Sequence, residues 1–483
     1  MNILESNKIL THKGYSIRKS RLSEKDLKMI MDSCNVEPKV DDRYKVKGEL
    51  GFKIYRESPE RYYLPREWAI TKFGEPDVNI LSEGLDLSDE NSKFVGNPYD
   101  YQKDIINTYL NSKRNGLICV PCGKGKTFMA LNIASQLKKR FLIVVDKEFL
   151  MNQWKNEIKN VMPNLRVGIL QAEKRQTDKE KYDCTICMIQ TLCIQSFPDD
   201  FFHDYGFTIF DECHHLGAQH FCKALFKIQT NKLLGLSATP TRADGLTKVF
   251  EMFLGKPLFW EKVREPDPTV IVKGVNITCQ DPDYLRLPYD YKRDVIIARL
   301  ITYIVECKER NQEIARWIQL LAEDSNRKIL VLSARIAHLN EIEKLLPKNI
   351  TTSYYIGGMK EEVRESGAIQ AKVLLASYSM ASEAMNIKSL NSVILASPRT
   401  NVEQSTGRIL RTRVSERVIQ PMIIDIIDAH DPLMNQWRSR KNYYKKCEYS
   451  IETVQQGKND GIKENKSVKK EIEPENGCLF SDD

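Results

Sequence analysis

The chain has 483 residues, 41% hydrophobic and 29% charged, with a formal net charge of +8. That length holds about two or three domains, and the composition excludes a disordered or fibrous chain. The modest positive balance permits a polyanionic partner without establishing one, and no apolar run approaches the roughly 18 residues that span a bilayer.

Met1 to Lys8 is polar and charged and does not read as a secretory signal. Twelve cysteines are scattered through apolar runs, so free thiols in a reducing, intracellular compartment are expected, with no membrane partner. Residues 1–95 carry no nucleotide motif. Charged stretches there alternate with aromatic ones, Phe52-Lys53-Ile54-Tyr55 and Tyr62-Tyr63-Leu64-Pro65-Arg66, and they read as a small accessory α/β domain. The acidic stretch 84–93 reads as its linker.

Residues 96–262 change pattern. Short runs rich in β-branched residues, at 116–120, 141–145, 167–170, 184–189, 207–210 and 233–236, alternate with helical periodicities. That alternation predicts an α/β lobe with a parallel sheet covered by helices on both faces. Cys184 and Cys187 form a C-x-x-C inside one of these runs. Positions i and i+3 of a strand face opposite ways, so core cysteines are expected rather than a metal pair. Residues 263–327 read as an irregular connection between Pro266 and Pro288 followed by helix. Residues 328–450 repeat the alternation, with strands expected at 329–332, 351–356, 373–376, 392–396 and 422–426. The basic, aromatic stretch 437–446 fits either a nucleic-acid surface or a last helix packing its tyrosines. Residues 451–483 read as a disordered charged tail.

Four motifs carry chemistry. Between the strand ending at Val120 and a helix expected over 126–137 lies Pro121-Cys122-Gly123-Lys124-Gly125-Lys126-Thr127. Glycines let backbone N–H groups wrap phosphates, and the helix N-terminus adds partial positive charge. Lys126 then bridges the β- and γ-phosphates of ATP, and Thr127 ligates Mg²⁺. Asp211-Glu212 follows an apolar strand, at the sheet end where ligands bind. Asp211 is expected to hold Mg²⁺ and Glu212 to orient and deprotonate the attacking water. His214 and His215 adjoin Cys213, but the spacing to His220 and Cys222 matches no zinc pattern. His214 is expected instead to hydrogen-bond toward the turn of Ser237 and Thr239, coupling the nucleotide to the second lobe. Gln102, about twenty residues before the phosphate loop, can pair with both edges of adenine. Gln404, Arg408 and Arg411 lie in the second lobe. The two arginines are three apart, share a face if helical, and suit a polyphosphate, one serving as an arginine finger.

These motifs, with Gln153-Trp154, Gly235 to Pro240 and Lys328 to Arg335, resemble the superfamily 2 helicases of DExH type. Within them the chain is most similar to XPB-like DNA helicases of large cytoplasmic DNA viruses. The resemblance implies two tandem RecA-like lobes closing on ATP and a 3′-to-5′ motor on DNA in viral transcription or replication. An RNA helicase, or an ATP-driven remodelling factor of the transcription machinery without strand separation, stays open. So does the compartment: cytoplasmic factory, nucleus or virion. By matching position it implies nucleic-acid contacts at Gln153, Thr191, Ser333, Ser377 and Ser379. Two segments depart from the family pattern. Motif V, which the resemblance implies couples nucleic acid to the ATP site, reads Glu383-Ala384-Met385-Asn386, and the element after motif III, implied to help open duplex, reads Arg242-Ala243-Asp244.

Overall fold

The computed structural model describes residues 6–39, 51–228, 230–242, 244–262, 265–383, 385, 387–412 and 414–458, without the side chains of 382 and 383. The chain divides into two compact units, Met1–Arg264 and Glu265–Asp483. Among the described residues no helix is long and apolar enough to cross a membrane.

Among the described residues the first unit contains two larger sheets and a small antiparallel pairing of Asn35–Val36 with Phe52–Lys53. Strands β1 (Lys8–Thr11), β2 (Gly14–Arg18), β3 (Arg56–Glu57), β4 (Arg61–Leu64) and β5 (Val78–Asn79) form the accessory sheet in the order β3-β4-β2-β1-β5. The second sheet is built from β6 (Gly116–Cys119), β7 (Phe141–Val145), β8 (Val167–Gln171), β9 (Lys174–Arg175), β10 (Cys184–Met188), β11 (Phe207–Phe210), β12 (Lys232–Ser237) and β13 (Pro257–Trp260). Its order is β9-β8-β10-β7-β11-β12-β6-β13, and every pairing but β8–β9 is parallel. The central strands are buried on both faces, which is why they read as unbroken apolar runs. Leu117, Leu142 and Cys187 pack on one face, and Ile118, Ile143 and Cys184 on the other. The two cysteines therefore diverge, as expected of strand positions i and i+3.

The accessory region is no separate body. Its core residues Leu10, Tyr15 and Ile30 belong to the same apolar cluster as Leu117 and Phe250. Buried Glu67 accepts from Arg114 Nε at 2.8 Å and Asn115 Nδ2 at 3.0 Å. Arg66 donates to the Thr230 carbonyl at 3.0 Å. A boundary at residue 95 separates the motifs but not the core.

The second unit holds β14 (Ile271–Ile277), β15 (Ile329–Ser333), β16 (Thr352–Tyr355), β17 (Val373–Ser377), β18 (Ser392–Leu395), β19 (Met422–Asp428) and β20 (Ser450–Gln455). They form one parallel sheet in the order β16-β17-β15-β18-β19-β14-β20. Two expectations are corrected here. The segment between Pro266 and Pro288 is not wholly irregular, because β14 pairs with β19 over seven registered residues. The lobe therefore begins near residue 265, not 328. Residues 450–455 form the edge strand β20, so the tail starts after them; residues 459–483 lie outside the described part.

The stretch 437–446 resolves into packing. It belongs to the helix Asp431–Lys446, whose Trp437, Arg440 and Tyr444 are buried. Arg440 grips Asp425 with two hydrogen bonds of 2.8 Å, and Tyr444 Oη donates to Asp425 Oδ2 at 2.8 Å. Removing one partner strands a buried charge, typically costing about 3–5 kcal/mol. Arg440→Met is accordingly expected to lower denaturant stability by about that amount. Asp425→Asn combined with it should recover part of the loss.

Candidate nucleotide site

Strand order assembles the site. β11, β12 and β6 are adjacent and parallel, so their C-terminal ends lie side by side. The acidic pair Asp211-Glu212 follows β11, the Ser-Ala-Thr turn is at the end of β12, and the expected phosphate loop follows β6. Segments about ninety residues apart in sequence thus become neighbours. Gly235 in β12 permits this packing, since a Cβ there would meet Leu117 Cδ2 at 2.4 Å and Cys213 Sγ at 3.1 Å.

The phosphate loop runs from buried Pro121 through half-buried Cys122, exposed Gly123 and half-buried Lys124 to Gly125, which enters the helix Lys126–Leu137 with φ of 81°. A side chain at Gly125 would be strained by that φ and would meet Gln102 Nε2 at 2.5 Å. Gln102 uses the space: Nε2 donates to the Lys124 carbonyl at 3.1 Å, while Oε1 accepts from Tyr99 N at 3.0 Å. Gln102 thereby fixes the loop and caps its own helix. Lys124 lies 3.4 Å from Glu261 and 5.0 Å over the Tyr101 ring. Lys126 Nζ donates to the Val120 carbonyl at 3.4 Å, and Thr127 is half-buried at the start of the helix.

Asp211 and Glu212 are adjacent carboxylates in a partly dry site. Asp211 Oδ2 accepts from Trp154 Nε1 at 2.8 Å, and Oδ1 accepts from Glu212 N at 3.0 Å. Burial, followed by the Glu212 charge, pushes the Asp211 carboxyl up. Burial acts the same way on Glu212, but His214, 3.3 Å away, and the Lys126 ammonium outweigh it and hold that carboxyl down. Glu212 also sits at φ 41°, a left-handed conformation that costs a residue with a Cβ about 1–2 kcal/mol. The helical turn that follows makes it tolerable, and the strain re-aims the chain from the strand into the site.

His214 Nδ1 and Ser237 Oγ are 3.0 Å apart, and Ser237 Oγ accepts from Thr239 N at 3.1 Å. The expected link from the carboxylate turn to the Ser237–Thr239 turn is therefore present. Arg242, which forks onto Asp244, also donates to the His214 carbonyl at 2.7 Å. The sequence shows the Arg-x-Asp spacing but not this buttress. Trp154 is likewise visible only as part of a motif, because nothing in its spacing reveals that its indole N–H reaches Asp211. Ala243 lies outside the described residues.

In the second unit, Gln404 is half-buried on the short helix Glu403–Thr406. Arg408 lies in a 3₁₀ turn, and Arg411 lies beyond it, so the two do not share one helical face. They still converge: Arg408 Nη1 and Arg411 Nη2 each donate to the Met385 carbonyl at 2.8 Å. Met385 is the middle of motif V; Ala384, Asn386 and the Glu383 side chain lie outside the described part.

The five expected nucleic-acid contacts divide. Gln153 is half-buried, while Ser377 and exposed Ser379 place their hydroxyls 3.2 Å apart. Thr191 is buried, and its Oγ1 accepts from Ala172 N at 2.9 Å. Ser333 is fully buried, with Oγ 2.9 Å from His338 Nδ1, whose Nε2 lies 2.9 Å from Asn311 Oδ1. Both hydroxyls thus hold neighbouring turns in place, Thr191 through Ala172 N and Ser333 through Arg335 N.

The family described as Type III restriction enzyme, res subunit, matches residues 96–242. The Helicase conserved C-terminal domain matches residues 312–413. Protein L396 of Acanthamoeba polyphaga mimivirus, provisionally named an ATP-dependent RNA helicase, is 33% identical over 92% of this chain and 86% of its own length. The chain belongs to the superfamily 2 helicases. This helicase is also 29% identical, over 73% of its length and 74% of the relative's, to QP509L of African swine fever virus, which carries the same provisional name. Its fold is similar to Saccharomyces cerevisiae Dbp5 bound to RNA and ADP BeF3, with a TM-score of 0.52 and 12% identity, covering 74% of this chain and 90% of that one. The helicase has two RecA-like lobes, hydrolyses ATP and acts on nucleic acid.

The Trp154 bond is a test of the site. Trp154→Phe keeps an aromatic in the core but frees Asp211 Oδ2. A hydrogen bond to a charged group contributes about 1.5–3 kcal/mol, so kcat for ATP is expected to fall about tenfold or more. Nucleotide affinity should change little.

Proposed function

We propose that this helicase is an XPB-like, 3′-to-5′ motor on DNA, serving viral transcription or replication. The observation that carries the motor reading is the convergence of Lys126, Asp211, Glu212, His214 and Ser237 at one end of one sheet. In this reading the backbone of Cys122 to Gly125 and the Lys126 ammonium hold the ATP phosphates. Glu212, kept ionised by His214 and Lys126, takes a proton from the attacking water. Gln102 serves the adenine: its Oε1 accepts one hydrogen bond and its Nε2 donates one, and each has capacity for another.

Asp211 and Thr127 offer the hard oxygen donors that Mg²⁺ prefers. Mg²⁺ held there would neutralise phosphate charge and favour the ionised form of Asp211. Arg408 and Arg411 supply positive charge to the transferring phosphoryl group, with Gln404 beside them. His214, Ser237 and Thr239 pass the state of the nucleotide onward. Gln153, Ser377 and Ser379 touch the nucleic-acid backbone, which suits a motor that does not read sequence.

The DNA assignment rests on the motif resemblance. RNA is the second reading, favoured by the names of the two viral relatives. ATP hydrolysis measured with single-stranded DNA, duplex DNA and RNA separates them. Stronger stimulation by DNA at equal nucleotide concentration is expected, and the reverse order transfers the activity to RNA. Tailed-duplex unwinding separates a helicase from a remodelling factor of the transcription machinery. Lys126→Ala should abolish hydrolysis, and Arg411→Ala should lower kcat by about a thousandfold with ATP still bound. Hydrolysis surviving Lys126→Ala, or no stimulation by any polynucleotide, would end the motor reading.

A further inference from the structure

One element of the second unit stands outside every motif. After the short helix Pro282–Leu285 the chain forms a closed turn, with Tyr289 bridged to Val295 in antiparallel fashion. Ile296 N donates to the Pro288 carbonyl at 2.8 Å, and Asp290 N to the Asp294 carbonyl at 2.9 Å. Asp290 Oδ1 accepts from Lys292 N at 2.8 Å and from Asp294 N at 2.9 Å. Arg293 takes the left-handed conformation, φ 65°, that closes the tip. The loop is thus held by its own backbone, and the Asp290 carboxylate is turned inward on N–H groups.

Its root is fixed as well. Buried Tyr284 donates to Asp428 Oδ1 at 3.1 Å, and its carbonyl lies 2.7 Å from His430 Nε2. Arg310 Nε and Nη2 clamp the same Asp428 at 2.7 and 3.0 Å. Pro288 is buried, and Leu287 and Val295 pack against the core of the lobe.

The turn therefore presents aromatic rings on a stiff base. Tyr291, at the tip, is 85% exposed and Tyr289 is 53% exposed. Lys292 Nζ stands 5.6 Å from the Tyr291 ring centre. Lys292 and Arg293 are exposed on the turn, and Arg286, which lies 5.5 Å over the Tyr303 ring, and Arg299 are exposed on either side of it in sequence; Asp283 is exposed and Asp281 and Asp294 partly so. Leaving a tyrosine so far in water forfeits the burial that aromatic residues usually gain. Aromatic faces flanked by cations are the chemistry that binds single strands, because any base has a π-face to stack and any phosphate a charge to pair. A backbone already held in place loses less entropy when its side chain stacks.

We infer that the turn Tyr289–Val295 is a single-strand contact of this helicase. Tyr291 stacks on an unpaired base, and Arg286, Lys292 and Arg293 pair with the flanking phosphates. The inference rests on the reading of the chain as a nucleic-acid motor and adds a site to it.

The test is direct binding of the full chain to fluorescein-labelled oligonucleotides, one arm of single-stranded DNA and one of RNA, without ATP. Tyr291→Ala is expected to weaken binding about tenfold, and Tyr291→Trp to retain it. Arg286→Ala with Lys292→Ala and Arg293→Ala should flatten the slope of log affinity against log salt by about two or three. Basal ATP hydrolysis without nucleic acid should stay unchanged in all of them, since none belongs to the nucleotide motifs. Equal affinity of wild type, Tyr291→Ala and Tyr291→Trp on both oligonucleotides would overturn the inference. So would an unchanged affinity accompanied by lost binding of a viral protein, which would make the turn a protein-docking surface. Because binding is read without ATP, failure of the motor reading in the hydrolysis assay would appear separately.

Discussion

Two neighbouring carboxylates at the end of one strand set the terms for the first unit. Like charges on neighbouring side chains repel more strongly in a partly buried site than in water, and the Glu212 charge helps to push the Asp211 carboxyl up. Asp211 and Glu212 therefore cannot both be ionised there without compensation. The structure distributes it unequally: Trp154 and the Glu212 amide serve Asp211, while His214 and Lys126 act on Glu212. Two chemically similar groups are driven apart in proton affinity, which is the usual condition for dividing labour between metal binding and proton transfer. The left-handed Glu212, the glycine at 235 and the order β11-β12-β6 all serve the placement of this pair.

Much of the rest is support for loops that leave the sheet. Gln102 ties down the phosphate loop from a preceding helix. Arg242 holds the His214 carbonyl while the His214 ring faces Ser237. The carboxylate turn is thus connected on one side to the end of β12 and on the other to the segment after it. A change in the charge near Glu212 has short, hydrogen-bonded routes into both.

The sequence made the central strands legible because they are buried on both faces. Phe141–Val145 and Phe207–Phe210 have no polar residue besides Thr208 to blur their ends, and the expected bounds are those observed. The helix 126–137 was equally clear between a glycine and a left-handed Lys138. β14 was hidden because it carries Lys273 and Gly274 between prolines. That lysine is buried and ion-paired to Glu452 of β20, a partner 179 residues away that no local pattern reveals. The edge strand β20 has mostly exposed side chains and so resembled a tail. Among site residues, motif spacing located turns but not the direction of a hydroxyl. Ser333 and Ser377 are register partners on neighbouring strands, yet one hydroxyl turns into the core toward His338 and the other lies near the surface beside Ser379.

The arginines of the second unit raise a different physical question. Arg408 and Arg411 both donate to one carbonyl, that of Met385, at the centre of motif V. A neutral carbonyl is a modest partner for a guanidinium, whereas a phosphate oxygen offers a shorter, charge-assisted bond of roughly twice the strength. In the proposed reading, ATP competes with this carbonyl for either guanidinium and can draw it away. Doing so removes a hydrogen bond from the backbone of motif V. The converse also holds: any displacement of the Met385 carbonyl changes how readily the two guanidiniums are released. A single peptide oxygen is thus shared between the groups proposed to stabilise phosphoryl transfer and the loop that the family resemblance assigns to nucleic acid. Linkage requires the coupling through it to act equally in both directions on binding.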